Sequence, residues 1–376
     1  MKSLQKHSLL MSIICLGIST VIAVMAGLDF YSFRHYQEII KPGSGVTETF
    51  QLSQFNKNLT GTFGDTTVYV MKGKKEGGSL LVLGGTHPNE PSGHMAAITL
   101  IESGQIDAGT VYVIPRTNNS AFTHNDSQEA SIHFYHFTTA SGVRTFVYGS
   151  RATNPLDQWP DPDVYIHKTS GQTLSGSETR NLNRAYPGVA DGNLSEEVAY
   201  AITTMVQSLN IDMEVDLHEA SPEYPTINAT VAHERAMMIA SQAILELNFE
   251  GIEMSLEPSP VKLHGLTHRE LGDYTNTLAL LMETGNASQG RLRGRSSEAL
   301  VLTGKDKFYT WAAKLGFVYI PYDDSGVSIE TRVGRHLQGI IEFTKAFTDQ
   351  EGKAITISGI PTYEDLQSSD LGKWLN

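Results

Sequence analysis

Short apolar runs that end at glycine or at polar residues recur along the chain and predict buried strands. They lie at residues 79–83 (SLLVL), 110–114 (TVYVI), 212–217 (DMEVDL) and 277–282 (TLALLM). Segments with helical spacing predict helices at residues 91–101, 195–209, 233–247, 305–315 and 333–347, and Ser195 is the expected N-cap of the second. Strands that alternate with helices predict an α/β fold, here a three-layer sandwich around a mixed, mostly parallel sheet.

Residues 116–180 interrupt this alternation. The segment is rich in Asn, Ser, Thr, His and aromatic residues, as in HFYHF and DQWPDPDVYIH, and it has little helical periodicity. A segment of this length inside a compact domain is usually a functional loop region. A solvated insertion is the alternative interpretation.

The N-terminus predicts a targeting segment. Lys2 and Lys6 precede an apolar run at residues 9–26, whose last three residues resemble a small-residue cleavage site. The run is also long enough to cross a bilayer. We therefore expect a signal peptide or membrane anchor at residues 1–27 and a single folded domain at residues 28–376, with its core at about 78–345. That domain is expected to be periplasmic or secreted, and residues 9–26 would tether it to the membrane if they are retained.

The composition narrows the chemistry. The formal net charge of -13 at pH 7 is opposite to the basic surface that nucleic-acid binding requires, so no nucleic-acid partner is expected. Cys15 is the only cysteine and lies within the N-terminal apolar run. A metal site at residues 28–376 would therefore use imidazole and carboxylate ligands.

Two polar motifs at the ends of predicted strands contain side chains that zinc prefers. The run GGTHPNEP places His87 and Glu90 just after strand 79–83, and DLHE places His218 at the end of strand 212–217. In mostly parallel sheets, bound molecules and ions lie at the carboxyl ends of the strands. Two His and one Glu with an open fourth position are typical of a catalytic zinc site, and Asp216 could orient a ligand. Taken singly, each motif also fits a capping Glu with a surface His, or a structural strand-end His.

Two further motifs provide candidates for substrate binding and proton transfer. The run RNLNRAYPG contains Arg180, Asn183 and Arg184, and the planar fork of an Arg side chain suits a carboxylate. A turn with a solvated Arg is the plainer interpretation. The run LMETG places Glu283 at the end of a buried strand, where desolvation raises the pKa of a carboxyl group and suits a general base. A structural Glu paired with Arg291 is the alternative.

The order of these motifs resembles the zinc carboxypeptidase superfamily, particularly its aspartoacylase and succinylglutamate desuccinylase branch. GGTHPNEP is similar to the metal-binding loop of that branch, NLNRAYPG to its Asn-Arg turn, and residues 264–283 to its approach to the catalytic Glu. The resemblance covers roughly residues 78–345. It implies a carboxypeptidase-like sandwich and one Zn²⁺ per chain, held by His87, Glu90 and His218.

The same resemblance implies roles for further residues. Glu283 matches the general base, and Asn183 and Arg184 match the pair that binds the substrate carboxylate. Arg180 and Tyr274 are additional candidates for substrate binding, because they are the nearest matches to an Arg and a Tyr that the family carries.

One family feature lacks a clear match in the sequence. Family members often carry an Arg, several residues before the Asn-Arg pair, that polarises the scissile carbonyl. Arg180 is too close to Asn183 for this role and Arg116 is too far away, so the role is unassigned.

The function expected from these features is zinc-dependent hydrolysis of an amide bond in an N-acyl amino acid or a similar small substrate with a free carboxylate. The alternative is an extracytoplasmic metallocarboxypeptidase that trims peptides, including cell-wall peptides, which the N-terminal segment and residues 116–180 favour. A catalytically inactive binding protein is disfavoured, because none of the expected ligands or the catalytic Glu is missing.

Overall fold

A computed structural model of the chain describes residues 2–126 and 131–376, which form two compact units, Met1–Gln37 and Glu38–Asn376. The first unit consists mainly of helix α1 (Lys2–Arg34). This helix continues past the predicted boundary at residue 27, because residues 28–34 (LDFYSFR) contain no proline or other helix-breaking residue. By length and composition, the segment His7–Arg34 could cross a membrane, a property that signal sequences share.

The second unit contains the predicted strands and helices together with several shorter elements. Its strands are β1 (Glu48–Gln51), β2 (Thr67–Lys72), β3 (Lys75–Leu83), β4 (Gln105–Ile114), β5 (Phe134–Thr139), β6 (Gly142–Val147), β7 (Val164–Ile166), β8 (Thr173–Ser175), β9 (Met213–Ala220), β10 (Ala229–Ala232), β11 (Ser255–Pro258), β12 (Leu278–Gly285) and β13 (Thr356–Ser358). Its helices are α2 (Pro91–Ser103), α3 (Leu194–Leu209), α4 (Met237–Phe249), α5 (Thr267–Tyr274), α6 (Glu298–Thr303), α7 (Lys307–Lys314), α8 (Ile329–Glu351) and α9 (Tyr363–Ser368).

Nine strands of the described residues form one mixed sheet in the order β1-β2-β4-β3-β9-β12-β10-β11, with β13 paired to β4. The four central strands, β4, β3, β9 and β12, are parallel to one another. Antiparallel pairs flank them on both sides, and the edge pair β10–β11 is again parallel. The predicted α/β class with a mixed sheet and a parallel centre is confirmed.

The side chains of β3 show why the fold has three layers. Leu80 and Val82 pack into a core with helices α2, α4 and α8, whereas Leu81 and Leu83 pack into a second core with α3. Successive side chains of a strand point to opposite faces, so an uninterrupted apolar run is suited to a strand covered on both sides. Full burial of each such side chain stabilises the fold by about 1.5–3 kcal/mol.

Several predicted helix starts differ from the observed ones, including those at residues 305 and 333, where the helices begin at Lys307 and Ile329. Helix α3 begins at Leu194 with Asn193 as its N-cap: the Asn193 side chain accepts from the backbone N of Glu196, and the Glu196 carboxylate accepts from the backbone N of Asn193, each at 3.0 Å. This reciprocal pair satisfies two free backbone donors, which Ser195 in the cap position would not do. Helix α4 begins at Met237 rather than at residue 233, because His233 instead caps a short 3-10 turn.

The segment at residues 116–180 contains two hairpins, β5–β6 and β7–β8. The first hairpin is not a solvated insertion, since Tyr135, Phe137 and Phe146 are part of the main core. In the same hairpin, Arg144 forms a buried ion pair with Glu102 at 2.6 Å. Residues 127–130 of this segment lie outside the described residues.

Candidate metal centre

The loop between β3 and α2 carries the first two candidate ligands, His87 and Glu90. Gly85 opens this loop with a φ of 69°, and a Cβ there would lie 2.6 Å from the Phe122 ring. A positive φ and the absence of space both favour glycine. The turn at Gly84 and Gly85 therefore allows the chain to leave the end of β3 and bring both side chains over the sheet edge.

His87, Glu90 and His218 converge, and one potential ligand atom of each lies within 4.8 Å of the others. His87 Nδ1 is 2.9 Å from Glu90 Oε1, and His218 Nδ1 is 2.9 Å from Glu90 Oε2. All three side chains are almost fully buried. The predicted ligands, which are up to 131 positions apart in the sequence, are thus brought to one point.

The remaining nitrogen of each imidazole lies close to an outer oxygen atom. His87 Nε2 is 2.9 Å from Asn181 Oδ1, and His218 Nε2 forms an ion pair with Asp216 Oδ2 at 2.9 Å. Asp216 also accepts hydrogen bonds from Thr86 Oγ1 and Thr267 Oγ1, at 2.8 and 2.7 Å. Acceptors of this kind fix the imidazole orientation at metal sites and direct the other nitrogen toward the ion.

These residues fit a zinc ion. Both Nδ1 atoms face the same carboxylate, while His87 Nε2 faces Asn181 Oδ1 and His218 Nε2 lies 2.9 Å from Asp216 Oδ2, so both Nδ1 atoms are placed for coordination. Two imidazoles and one carboxylate form the three-ligand set of catalytic zinc sites. The described residues contain one such group of His, Cys, Asp and Glu side chains.

The charges around the two imidazoles differ. Burial lowers the pKa of His87 to about 4, so this ring is neutral and competent as a ligand. Burial also disfavours the charged form of His218, but the carboxylates of Asp216 and Glu90 outweigh it and raise the pKa well above its usual value. Without a metal, a proton on His218 therefore supplies the positive charge between these carboxylates.

Glu283 lies beside this group. It is the register partner of His218 on the neighbouring parallel strand, so both side chains point to the same face of the sheet. Burial raises the pKa of Glu283 to about 8, and its Oε2 has no hydrogen-bond partner among the described residues. This carboxyl group is therefore suited to accept and release a proton near neutral pH.

Glu219, the next residue after His218, points to the opposite face of β9. Its Oε1 pairs with Arg332 at 2.6 Å and its Oε2 accepts from the backbone N of Ser92 at 3.1 Å. Both charged side chains are fully buried. Glu219 therefore joins β9 to helices α2 and α8.

A cavity of about 340 Å³ opens beside the candidate metal ligands. Its walls include Asn183 and Arg184. Thr267 donates to Asn183 Oδ1 from its backbone N at 2.8 Å, so the Asn183 amide nitrogen remains available as a donor. Burial and the nearby Arg151 lower the pKa of Arg184, and a bound anion would offset both effects.

Two predicted substrate-binding residues lie outside this cavity. Arg180 forms a two-point ion pair with Asp161, at 2.7 and 2.9 Å, and donates to a backbone carbonyl. Tyr274 lies at the exposed C-terminal end of α5 and lines a different surface cleft, because the buried residues of this helix are in its first turns. Neither residue contacts the candidate metal ligands.

The other arginines considered in the sequence also lie elsewhere. Arg116 is 4.3 Å above the Phe122 ring and donates to Asn119 at 2.9 Å. Arg291, the alternative partner for Glu283, does not line the cavity.

Arg151 and Tyr224 line the cavity but have no motif that identifies them in the sequence. Arg151 Nη1 is 3.2 Å from Glu90 Oε1 and 3.3 Å from His87 Nδ1. It follows β6 in the segment at residues 116–180. The sequence indicates Arg151 only through the prediction that this segment is a functional loop region.

No family model matches the chain, and no curated protein matches it. The chain is similar to the crystal structure of a succinylglutamate desuccinylase/aspartoacylase from Rhodobacter sphaeroides, with 18% identity over 58% of this chain and 51% of that one, and a TM-score of 0.35. It is also similar to the product-bound ectoine utilization protein EutE (DoeB) from Ruegeria pomeroyi, with 19% identity over 58% and 53% of the two chains and a TM-score of 0.38.

A further similar structure is the tripeptide-bound cell shape determinant Csd4 from Helicobacter pylori, with 12% identity, 80% and 59% coverage, and a TM-score of 0.45. The chain thus spans between about half and three fifths of the length of these three structures. The sequence motifs resemble those of the aspartoacylase and succinylglutamate desuccinylase branch, and a structure from that branch is among the similar ones. The functional assignment rests on the side chains of this chain.

Proposed function

We propose that this protein is a zinc-dependent hydrolase of an amide bond in an N-acyl amino acid or a similar small substrate with a free carboxylate. The observation that carries the proposal is the convergence of His87, Glu90 and His218 beside the buried carboxyl group of Glu283. A metal site with an adjacent proton acceptor is the arrangement that metal-assisted hydrolysis requires.

The side chains have distinct roles in this proposal. His87, Glu90 and His218 would hold one Zn²⁺, which when bound supplies a Lewis acid that lowers the pKa of water to about 7. Glu283 takes a proton from the attacking water and returns it to the leaving amine. Burial raises the pKa of this carboxyl group to about 8 in the metal-free protein, and a bound Zn²⁺ would lower it and favour the ionised form that accepts a proton.

Binding and orientation of the substrate are assigned to three cavity residues. Arg184 and Asn183 bind the substrate carboxylate, with the free amide nitrogen of Asn183 as a second donor. No Arg could be assigned from the sequence to polarise the scissile carbonyl. Arg151 takes this role in the proposal, because it lies next to the candidate metal ligands. Holding both ends of the substrate places the amide beside Glu283.

The N-terminal helix supports placing the catalytic unit outside the cytoplasm, either released after cleavage or tethered through this helix. An enzyme in that location meets peptides as well as small N-acyl compounds. Peptide trimming is therefore the second candidate function.

A substrate screen separates these possibilities. Zinc-loaded protein would be assayed with N-acyl amino acids and with short peptides, and Glu283→Gln would be assayed in parallel to exclude contaminating hydrolases. We expect the wild type to cleave N-acyl amino acids and Glu283→Gln not to cleave them. Cleavage of peptides alone would establish the second candidate, and no cleavage of either class would contradict the hydrolase proposal.

A further inference from the structure

The floor of the cavity is the face of the sheet itself, and it extends outward from Glu283. Leu281, two residues before Glu283 on β12, pairs with Val231 of β10, and Val231 pairs with Glu257 of the edge strand β11. Leu281, Val231 and Glu257 all line the cavity. These three side chains form a row on the sheet. The row begins beside Glu283, crosses the apolar side chains of Leu281 and Val231, and ends at the carboxylate of Glu257.

The spacing of strands gives the length of this row. Neighbouring strands are about 4.8 Å apart, so Glu257 lies on the order of 10 Å from β12, with Val231 in between. A substrate group that reaches it from the scissile bond must cross an apolar surface of about this length. Pro260, Leu263 and Leu266 form further apolar wall beside the same path.

Within the described part of the chain, the carboxylate of Glu257 has one hydrogen-bond donor and no cationic partner. Thr226 Oγ1 donates to Glu257 Oε2 at 2.9 Å, which fixes the side chain toward the cavity. Among the described residues, no Lys, Arg or His forms an ion pair with it, and the residue is half-buried. A half-buried carboxylate without a cation can bind an incoming positive charge.

The charges of the cavity wall are therefore divided. Arg184 and Arg151 lie near the candidate metal ligands and suit an anionic group. Glu257 lies at the far end of the floor and suits a cationic group. A single substrate that satisfies both ends is a zwitterion with the two charges separated by an aliphatic stem.

We propose that Glu257 is a specificity-determining residue that binds a cationic group, an ammonium or a guanidinium, at the end of an aliphatic side chain of the substrate. The inference rests on the proposed function for the position of the substrate carboxylate at Arg184. It narrows the substrate class to N-acyl or peptide derivatives of basic amino acids.

Binding of free amino acids tests this proposal separately from turnover. Lysine and norleucine have similar aliphatic stems and differ in the terminal ammonium group. Calorimetric titration of both into the zinc-loaded full chain would be compared with Glu257→Gln, and with Glu253→Gln as a matched control, since Glu253 is an exposed carboxylate on the same segment outside the cavity. The same variants would be assayed with Nα-acyl-lysine and Nα-acyl-norleucine.

We expect the wild type and Glu253→Gln to bind lysine at least about tenfold more tightly than norleucine, and Glu257→Gln to bind both equally. The same ratio is expected in kcat/KM for the two acyl substrates. Equal binding of both amino acids by the wild type, or no binding of either, would overturn the proposal. A lysine preference that survives in Glu257→Gln would also overturn it.

The two proposals fail in different ways. A lysine preference that depends on Glu257, without hydrolysis of either acyl substrate, would support the cation site and contradict the hydrolase function. Hydrolysis of both acyl substrates at equal rates, with equal binding, would support the hydrolase function and contradict the cation site.

Discussion

Glu283 lies directly opposite His218 on the neighbouring parallel strand, so the candidate general base and a candidate metal ligand share one face of the sheet. This register follows from two buried strands whose apolar runs end at the same edge. It places a buried carboxyl group beside the metal site without making it part of the ligand set. The arrangement separates metal binding from proton transfer, and substitutions can test the two independently.

Glu283→Gln should fold and bind zinc as the wild type does but lose most of its turnover. The substitution keeps the shape of the side chain and removes the proton acceptor, and general base catalysis contributes about 10²–10⁴-fold. The measurement is kcat together with metal content for both proteins. Near wild-type turnover in Glu283→Gln would show that this residue is structural.

Glu219→Gln should mainly affect stability. The change leaves the fully buried Arg332 without its anionic partner, and breaking one side of a buried ion pair costs about 3–5 kcal/mol. Chemical unfolding would measure the loss in the free energy of unfolding. A variant with wild-type stability and a large loss of turnover would instead give Glu219 a direct role in catalysis.

Glu214 predicts a pH dependence of stability. It is fully buried on β9, neither carboxylate oxygen has a hydrogen-bond partner among the described residues, and burial raises its pKa well above the usual value. A raised carboxyl pKa means that the folded state favours the proton. The protonated Glu214 side chain therefore contributes fully to the free energy of unfolding below the unfolded-state pKa. This contribution is lost as the pH rises toward the folded-state pKa.

Glu214→Gln removes this titration and should stabilise the protein at neutral pH. Between the two pKa values, the wild type should lose about 1.4 kcal/mol per pH unit relative to the variant. Urea unfolding of both proteins at several pH values between about 4 and 8 measures the difference. A constant difference across this range would contradict the assigned protonation.

Arg184→Lys and amidation of the substrate carboxylate should each lower kcat/KM, and the two losses should not add. Both changes remove the same charge-assisted contact, which is worth about 1.5–3 kcal/mol, or roughly tenfold or more. Arg180→Lys is the matched control, because Arg180 pairs with Asp161 away from the cavity. Equal cleavage of the acid and the amide by the wild type would exclude a carboxylate anchor at Arg184.

The convergence of the candidate metal ligands with Glu283 and the parallel centre of the sheet are predictable, because each depends on local sequence. A buried strand followed by polar residues marks the carboxyl end of that strand. Ligands of parallel sheets bind at these ends, and His87, His218 and Glu283 each follow such a strand. Tyr274 was placed by its distance from Glu283 in the sequence. That distance contains no information about which side of α5 faces the cavity.

Arg151 could not be predicted for a different reason. Its position depends on how the segment at residues 116–180 folds back against the sheet, through core contacts of the β5–β6 hairpin and through the Arg144–Glu102 ion pair. Short strands such as β10 were also missed, because four residues carry too little periodicity to identify a strand.

The central claim is that His87, Glu90 and His218 bind one zinc ion, and zinc titration of metal-free protein tests it most directly. Calorimetry should give one zinc per chain for the wild type. It should also give at least about tenfold weaker binding for His218→Ala, since loss of a direct ligand should cost no less than the 10–100-fold typical of outer-sphere partners. Stoichiometric zinc binding by His218→Ala with wild-type affinity would contradict the account.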